Sequence, residues 1–229
     1  MHFKCLIFVF ATIQLVHSGV IRSHEAEFFV LLDKIQLIGS QSAQKNDYVI
    51  SVFDEYTNRL QDFAQSFVNV SVEAFELAKQ QSNEDYGNWT AVCYDSEADN
   101  LTKANDQLFA TLNGCIATTT IDKDAVLQAG DEITGLANEK LINELTGFWN
   151  YCDGDEKCQE PVYTYTILIE QSLSKKLSEY ELSVAYFTHD GIRNLGICAY
   201  TGFDEEHGEV LGLLWDRINT CLLNGEPKQ

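Results

Sequence analysis

Apolar residues recur at steps of three and four along most of the chain, which is the spacing of one face of an α-helix. A helix from about Tyr48 to Gln81 would be about 50 Å long. We expect its stripe, aromatic residues included, to form the core of a helical bundle rather than a ligand pocket. The stripe consists of Val49, Phe53, Tyr56, Leu60, Phe63, Phe67, Val70, Ala74 and Leu77.

Similar spacing predicts further helices on both sides of this stripe. A short N-terminal helix, Glu25 to Ile38, is expected to end at Gly39. The longer helices are expected at about 92–115, 122–148, 161–187 and 204–223, separated by polar, capping or turn residues. Strand-like alternation is lacking between them, and the whole chain has two prolines. The predicted fold is therefore an all-α, elongated antiparallel bundle of about five long helices tied by three disulfides.

The first eighteen residues have the pattern of a secretory signal peptide. Lys4 precedes an apolar run that ends at Val16, and Val16-His17-Ser18 places an apolar and a small residue at the positions that a signal peptidase reads. The run is too short to span a bilayer, and no later stretch is long and uncharged enough to do so. We therefore predict cleavage after Ser18 and a secreted, extracellular protein without a membrane span.

Seven cysteines are present, and loss of the signal peptide would remove Cys5, which leaves an even number. Two predicted helical stretches of matching length, one from Cys93 to Cys115 and one from Cys198 to Cys221, have a cysteine near each end. Each stretch is too long for the two cysteines at its own ends to bond to each other. The antiparallel pairing joins Cys93 to Cys221 and Cys115 to Cys198, and Cys152 to Cys158 closes a turn. We favour this nested set, although the parallel pairing, Cys93 to Cys198 and Cys115 to Cys221, fits the spacing equally well.

Three Asn-x-Ser/Thr triplets lie close together, at Asn69, Asn88 and Asn100. Such triplets are acceptors for N-glycosylation in secreted proteins, and they lie on exposed surface when they are used. We predict glycosylation at these three asparagines.

The charge of the chain excludes several classes of partner. It carries 35 acidic and 15 basic residues, a formal charge of −20, and the basic residues are scattered. A phosphate backbone or an anionic membrane surface would be repelled, so we expect no nucleic-acid partner.

No motif of catalysis or cofactor binding is present in the sequence. His24, His189 and His207 lack the spacing of a zinc site, and neither a nucleophile elbow nor a phosphate-binding glycine loop occurs. The acidic turn between Cys152 and Cys158 lacks the ligand pattern of a calcium loop. We expect no catalytic residues, no metal, no cofactor and no enzymatic activity.

The cysteine segments carry a resemblance to a known family. They run from Cys93-Tyr94 to Leu112-Asn113-Gly114-Cys115 and from Cys198 to Ile218-Asn219-Thr220-Cys221-Leu222. Their length and the terminal Asn-x-Cys-Leu resemble the insect secreted TsetseEP-domain family, over about residues 48 to 224; the turn at Cys152–Cys158 departs from it. The resemblance implies an insect extracellular protein of gut, reproductive tract or body fluid without assigned catalysis, and it transfers no site residue.

The predicted organisation is a signal peptide over 1–18, a short helical segment over 19–47, one disulfide-linked helical domain over 48–224 and a tail over 225–229. The predicted function is that of a secreted acidic glycoprotein acting as a non-enzymatic interaction or host-response protein. The alternative is a carrier of small hydrophobic ligands. The expected partner is accordingly an extracellular protein or a small apolar molecule.

Overall fold

The computed structural model describes residues 24–224, except the side chains of Glu205 and Glu206. The predicted signal peptide and the predicted tail lie outside these residues. The chain begins with two long helices, followed by a short one and a third long one. These helices are α1 (Glu25–Tyr86), α2 (Asn88–Leu136), α3 (Glu139–Tyr151) and α4 (Glu156–Tyr186).

The chain remains helical beyond α4, but two wider π-helical turns interrupt the α-helical geometry. The first π-turn is Phe187–Gly191, and it leads into α5 (Ile192–Thr201). The second π-turn is Gly202–His207, and it leads into α6 (Gly208–Asn224). No strand occurs within residues 24–224, so the predicted all-α class and the three disulfides are confirmed. The expected five long helices are wrong, since there are about three.

One predicted boundary that the structure lacks is Gly39, where the short N-terminal helix was expected to end. The helix α1 continues through it for 62 residues. A Cβ at Gly39 would lie 3.0 Å from the backbone oxygen of Ala137, the residue that follows α2. The glycine is therefore a point of close helix contact and not a helix terminus.

The wrong count of long helices follows in part from the threonine run before Asp122, where a new helix was expected to be capped. The hydroxyls of Thr118, Thr119 and Thr120 each donate to a backbone carbonyl four residues earlier, at 2.8–3.1 Å. These bonds lie inside the helix, so the threonines do not compete with the helical backbone and α2 continues to Leu136.

The expected turn between Cys152 and Cys158 is present. Asp153 and Gly154 both have positive φ, 45° and 81°, and the disulfide closes the loop. At the start of α3, Asn138 accepts a hydrogen bond from the backbone of Leu141 and caps the helix.

The described chain divides into two compact units. Unit 1 contains the chain up to Val49 together with Ala125–Ala185, and unit 2 contains Ile50–Asp124 together with the chain from Tyr186. Unit 1 holds the Cys152–Cys158 disulfide. Unit 2 holds Cys93–Cys221 and Cys115–Cys198, with Cα separations of 5.7 and 5.9 Å. These pairs are the nested set, and the parallel pairing that the spacing also allowed is absent.

A buried polar network sets the packing of α1, α2 and α4 within unit 1. The Tyr180 hydroxyl donates to Asn46 Oδ1 at 2.5 Å, and Asn46 Nδ2 donates to Asp131 Oδ1 at 2.8 Å. Burial, with a smaller contribution from Asp131, raises the pKa of Tyr180 to about 12, so the hydroxyl stays protonated and remains a donor. The network fits only beside Gly130, where a Cβ would collide with both Asn46 and Tyr180.

In unit 2, the apolar stripe of α1 turns away from the core. Ala64 and Phe75 are buried, whereas Phe63, Val70 and Leu77, which were expected to lie inside, are more than half exposed. The physical reason is that a strict seven-residue repeat drifts by about 20° per heptad on a straight α-helix. We call these three residues the exposed seam.

Within residues 24–224, no helix combines the length and the apolar character needed to cross a membrane.

The Gly130 site provides a test of the polar network. Gly130→Ala should destabilise the fold by about 1–3 kcal/mol, because the new methyl group displaces Asn46 and Tyr180 from their hydrogen bond. Urea unfolding followed by circular dichroism measures the change. Gly135→Ala on the same helix is the matched control: its Cβ meets no atom within 4 Å, so it should be neutral or mildly stabilising. Equal effects of the two substitutions would contradict the role of the network.

Candidate functional site

Unit 2 contains an apolar cleft between α1, α2 and α6. Its volume is about 220 Å³, and it is partly open to solvent. No charged side chain is among the residues that line it, and Ser71 is the one hydroxyl residue among them. The lining residues are Phe67, Val70, Ser71, Ala74, Leu101, Leu211, Leu214 and Trp215.

Helical spacing places these residues on the cleft. Phe67, Val70 and Ala74 follow one another at steps of three and four along α1, so they share a face. Leu211 and Trp215 are related in the same way on α6, and Leu214 is fully buried between the helices. The drift of the apolar stripe exposes the seam, and it also places Val70 at the mouth of the cleft.

Aromatic packing supports one end of the cleft. The ring of Phe75 packs edge-on against Tyr94 at 5.1 Å between centroids, and Trp215 lies 6.0 Å from Phe75. The hydroxyls of Tyr94 and Ser82 lie 3.2 Å apart, in hydrogen-bond contact. These contacts hold the indole of Trp215, which forms part of the wall, in a packed position.

A buried polar cluster lies beside the cleft. His207 Nε2 donates to Asn105 Oδ1 at 3.0 Å, and Ser71 Oγ lies 3.4 Å from the same oxygen. The ring of His207 packs edge-on against Phe67, which lines the cleft. The cleft and the polar cluster are therefore joined through Phe67 and Ser71.

The second π-turn carries the histidine of this cluster. Turns of this kind often mark functional sites, because the wider backbone displaces side chains from regular helical positions. Phe203, within the turn, packs edge-on against Phe63 at 5.0 Å. His207, the last residue of the turn, is 3% exposed.

The protonation state of His207 follows from its surroundings. Burial lowers its pKa below the usual value for histidine, so the ring is neutral at physiological pH. Since Nε2 carries the hydrogen that Asn105 accepts, Nδ1 is left as an acceptor, and it has no hydrogen-bond partner among the described residues. Protonation of Nδ1 would place an uncompensated charge in the core.

The cluster is not arranged for nucleophilic catalysis. The Ser71 hydroxyl donates to the Val68 backbone oxygen at 2.8 Å, and Asn105 separates it from the imidazole of His207. A general base must lie within hydrogen-bond reach of the proton that it removes, and His207 does not contact Ser71 in this way. What the arrangement provides is an apolar cleft beside a neutral polar cluster.

The predicted glycosylation sites lie in different surroundings. Asn69 and Asn88 are exposed, and the side chain of Asn69 accepts a hydrogen bond from Gln65. Asn100 is half-buried, and its Nδ2 donates at 2.9 Å to Glu97, a buried carboxylate that also pairs with Arg217. Glycosylation of these residues stays a prediction.

The remaining candidate residues are scattered. His24 stacks on Tyr163 and contacts Glu27 and Glu160 in unit 1, whereas His189 is exposed on the first π-turn of unit 2. Among the described residues, no group of three or more histidine, cysteine or acidic side chains is placed to hold a metal ion. Phe67, which was expected in the core, lines the cleft. Asn105 contacts His207 but was not predicted as a site residue.

No protein-family model, no curated protein and no solved structure matches this chain.

The buried histidine makes the stability of the fold depend on pH. Because its pKa is lowered in the folded state, the unfolded chain binds the extra proton more readily, and stability falls as the pH drops through about 6.5. His207→Gln keeps a donor for Asn105 but does not titrate in this range. Unfolding by urea at pH 7.5 and pH 5 should therefore show a smaller loss of stability for the variant than for the wild type. An identical loss in both proteins would contradict this role of His207.

Proposed function

We propose that this protein is a secreted, non-enzymatic binding protein and that the apolar cleft of unit 2 receives a small hydrophobic ligand. The observation that carries the proposal is the cleft itself, an uncharged cavity in a chain with a formal charge of −20. In such an acidic chain, an uncharged apolar cleft open to solvent indicates a contact surface.

The size of the cleft limits the ligand. An apolar cavity of about 150 Å³ in another protein holds benzene, so a cleft of about 220 Å³ accommodates an apolar group of one or two rings or a short branched chain. Pockets that enclose drug-sized molecules usually start at about 300 Å³. A larger ligand would therefore insert one end and leave the rest outside.

Secretion is supported by several independent features. Three disulfides are typical of proteins that fold in an oxidising compartment. The signal-peptide pattern, the three glycosylation triplets and the resemblance to the TsetseEP-domain family agree with an extracellular role, which in that family is an insect one.

A second candidate function, a protein interaction or host-response role, is favoured by the exposed seam. Phe63, Val70 and Leu77 are 56%, 60% and 55% exposed and lie at seven-residue intervals on α1. Large exposed side chains arranged in one row are typical of surfaces that contact another protein. The small-ligand proposal is preferred because the cleft is concave and of defined size.

Ligand binding can be measured with a fluorescent apolar probe such as N-phenyl-1-naphthylamine, whose emission rises in an apolar site. The wild type should bind the probe saturably with one site per chain. Val70→Asp should weaken binding at least tenfold, about 1.4 kcal/mol, because it places a carboxylate at the mouth of the cleft.

Val72→Asp is the matched control for this experiment. Val72 is also an exposed valine of α1, it lies two residues away, and it is not among the residues that line the cleft. Its probe binding should equal that of the wild type. Equal loss in both variants, or no saturable binding by the wild type, would sink the small-ligand proposal and leave the protein-interaction function as the better account.

A further inference from the structure

The turn between α1 and α2 presents Asn88 in an unusual setting. Gly87 joins the helices with a left-handed φ of 57°, and Asn88, the first residue of α2, is exposed. A Cβ at Gly87 would meet no atom within 4 Å, so the glycine is required by backbone conformation and the surroundings of the turn are open.

Two aromatic side chains flank this asparagine and are incompletely covered by the protein. Tyr86 is 41% exposed and Trp89 is 46% exposed. Their exposed ring faces provide apolar surface next to Asn88 in the sequence.

The third observation concerns Thr90, the hydroxyl residue of the triplet Asn88-Trp89-Thr90. Its side chain is 1% exposed, and Oγ1 has no hydrogen-bond partner among the described residues. A buried hydroxyl without a partner is unfavourable for folding, and valine would fill the same volume without that penalty.

The other two triplets differ in this respect. Ser71 donates its hydroxyl to the Val68 backbone oxygen at 2.8 Å, and Thr102 donates to the Ala98 backbone oxygen at 3.1 Å. Both hydroxyls therefore have a role in the folded structure, whereas that of Thr90 has none among the described residues.

We infer that Asn88 carries an N-linked glycan and that its first N-acetylglucosamine covers the exposed faces of Tyr86 and Trp89. The Thr90 hydroxyl serves recognition of the triplet during glycan transfer and not the stability of the fold. The inference goes beyond the proposed ligand binding and depends only on the secretion that was proposed with it.

The chemistry of the transfer is a substitution at a sugar carbon. The Asn88 amide nitrogen, Nδ2, forms a bond to C1 of N-acetylglucosamine, and the bond from C1 to the diphosphate of a lipid-linked oligosaccharide donor breaks. Nδ2 keeps one proton and releases the other to solvent, and the lipid diphosphate leaves with the bonding electrons.

Two substitutions at Thr90 separate recognition from folding. Full-length protein would be secreted from a eukaryotic cell line as wild type, Thr90→Ser and Thr90→Val, and its glycopeptides mapped by mass spectrometry. We expect a glycan on Asn88 in the wild type and in Thr90→Ser, and none in Thr90→Val. Intact mass also reports removal of residues 1–18, so a failure of secretion is distinguished from an unmodified Asn88.

Stability then tests the role of the hydroxyl. Thr90→Val should unfold at the same urea concentration as an unglycosylated Asn88→Gln reference, or at a higher one. Absence of a glycan from Asn88 in secreted wild type would overturn the inference. A lower unfolding midpoint for Thr90→Val than for Asn88→Gln would also overturn it, because the hydroxyl would then be structural.

Acrylamide quenching of tryptophan fluorescence tests the covering of the aromatic pair. Trp89→Phe retains Trp149 and Trp215, so the difference between the wild type and this variant gives the fluorescence of Trp89. Trimming the glycan to one N-acetylglucosamine should leave Trp89 as protected as in the intact glycoprotein. Asn88→Gln, which has no sugar there, should raise its quenching. Equal quenching of Trp89 with and without the sugar would overturn the proposed contact.

Discussion

Two disulfides determine which residues of α2 face the C-terminal helices, and the candidate site depends on that alignment. Cys93–Cys221 joins α2 to α6, and Cys115–Cys198 joins α2 to α5 in the antiparallel sense. Between these two bonds lie Leu101 of the cleft and Asn105 of the polar cluster. A shift by one turn would separate Asn105 from His207 and leave both polar groups buried without their partner.

The helical class could be predicted because it follows from the spacing of apolar residues along a single helix. Helix length excluded bonds within each cysteine segment but fitted the parallel and the antiparallel pairing equally well, and the structure has the antiparallel one. The positions where helices end could not be predicted, because they depend on the neighbouring helix. Gly39 resembles a terminus in the sequence but contacts Ala137, and the threonines before Asp122 resemble caps but bond to their own helix. The two π-turns also keep the chain helical through residues that look like breaks, such as Gly191.

The candidate site was less predictable than the fold. The apolar stripe on α1 could be read from the sequence. Its drift out of the core, which exposes Val70, depends on how many residues each helical turn contains, and the sequence does not state that number. Asn105 and His207 are 102 residues apart, and neither belongs to a motif. Their pairing arises from the alignment set by the disulfides. The available signal was helical spacing, because Asn105 lies four residues after Leu101 and three before Leu108, both buried.

Peptide mapping of the secreted protein under non-reducing conditions is the most direct measurement of this alignment. The account predicts one peptide pair that links Cys93 to Cys221, a second that links Cys115 to Cys198, and an internal bond between Cys152 and Cys158. Peptides linking Cys93 to Cys198 or Cys115 to Cys221 would mean a parallel arrangement. That result would contradict the cleft, the Asn105–His207 contact and the function proposed from them.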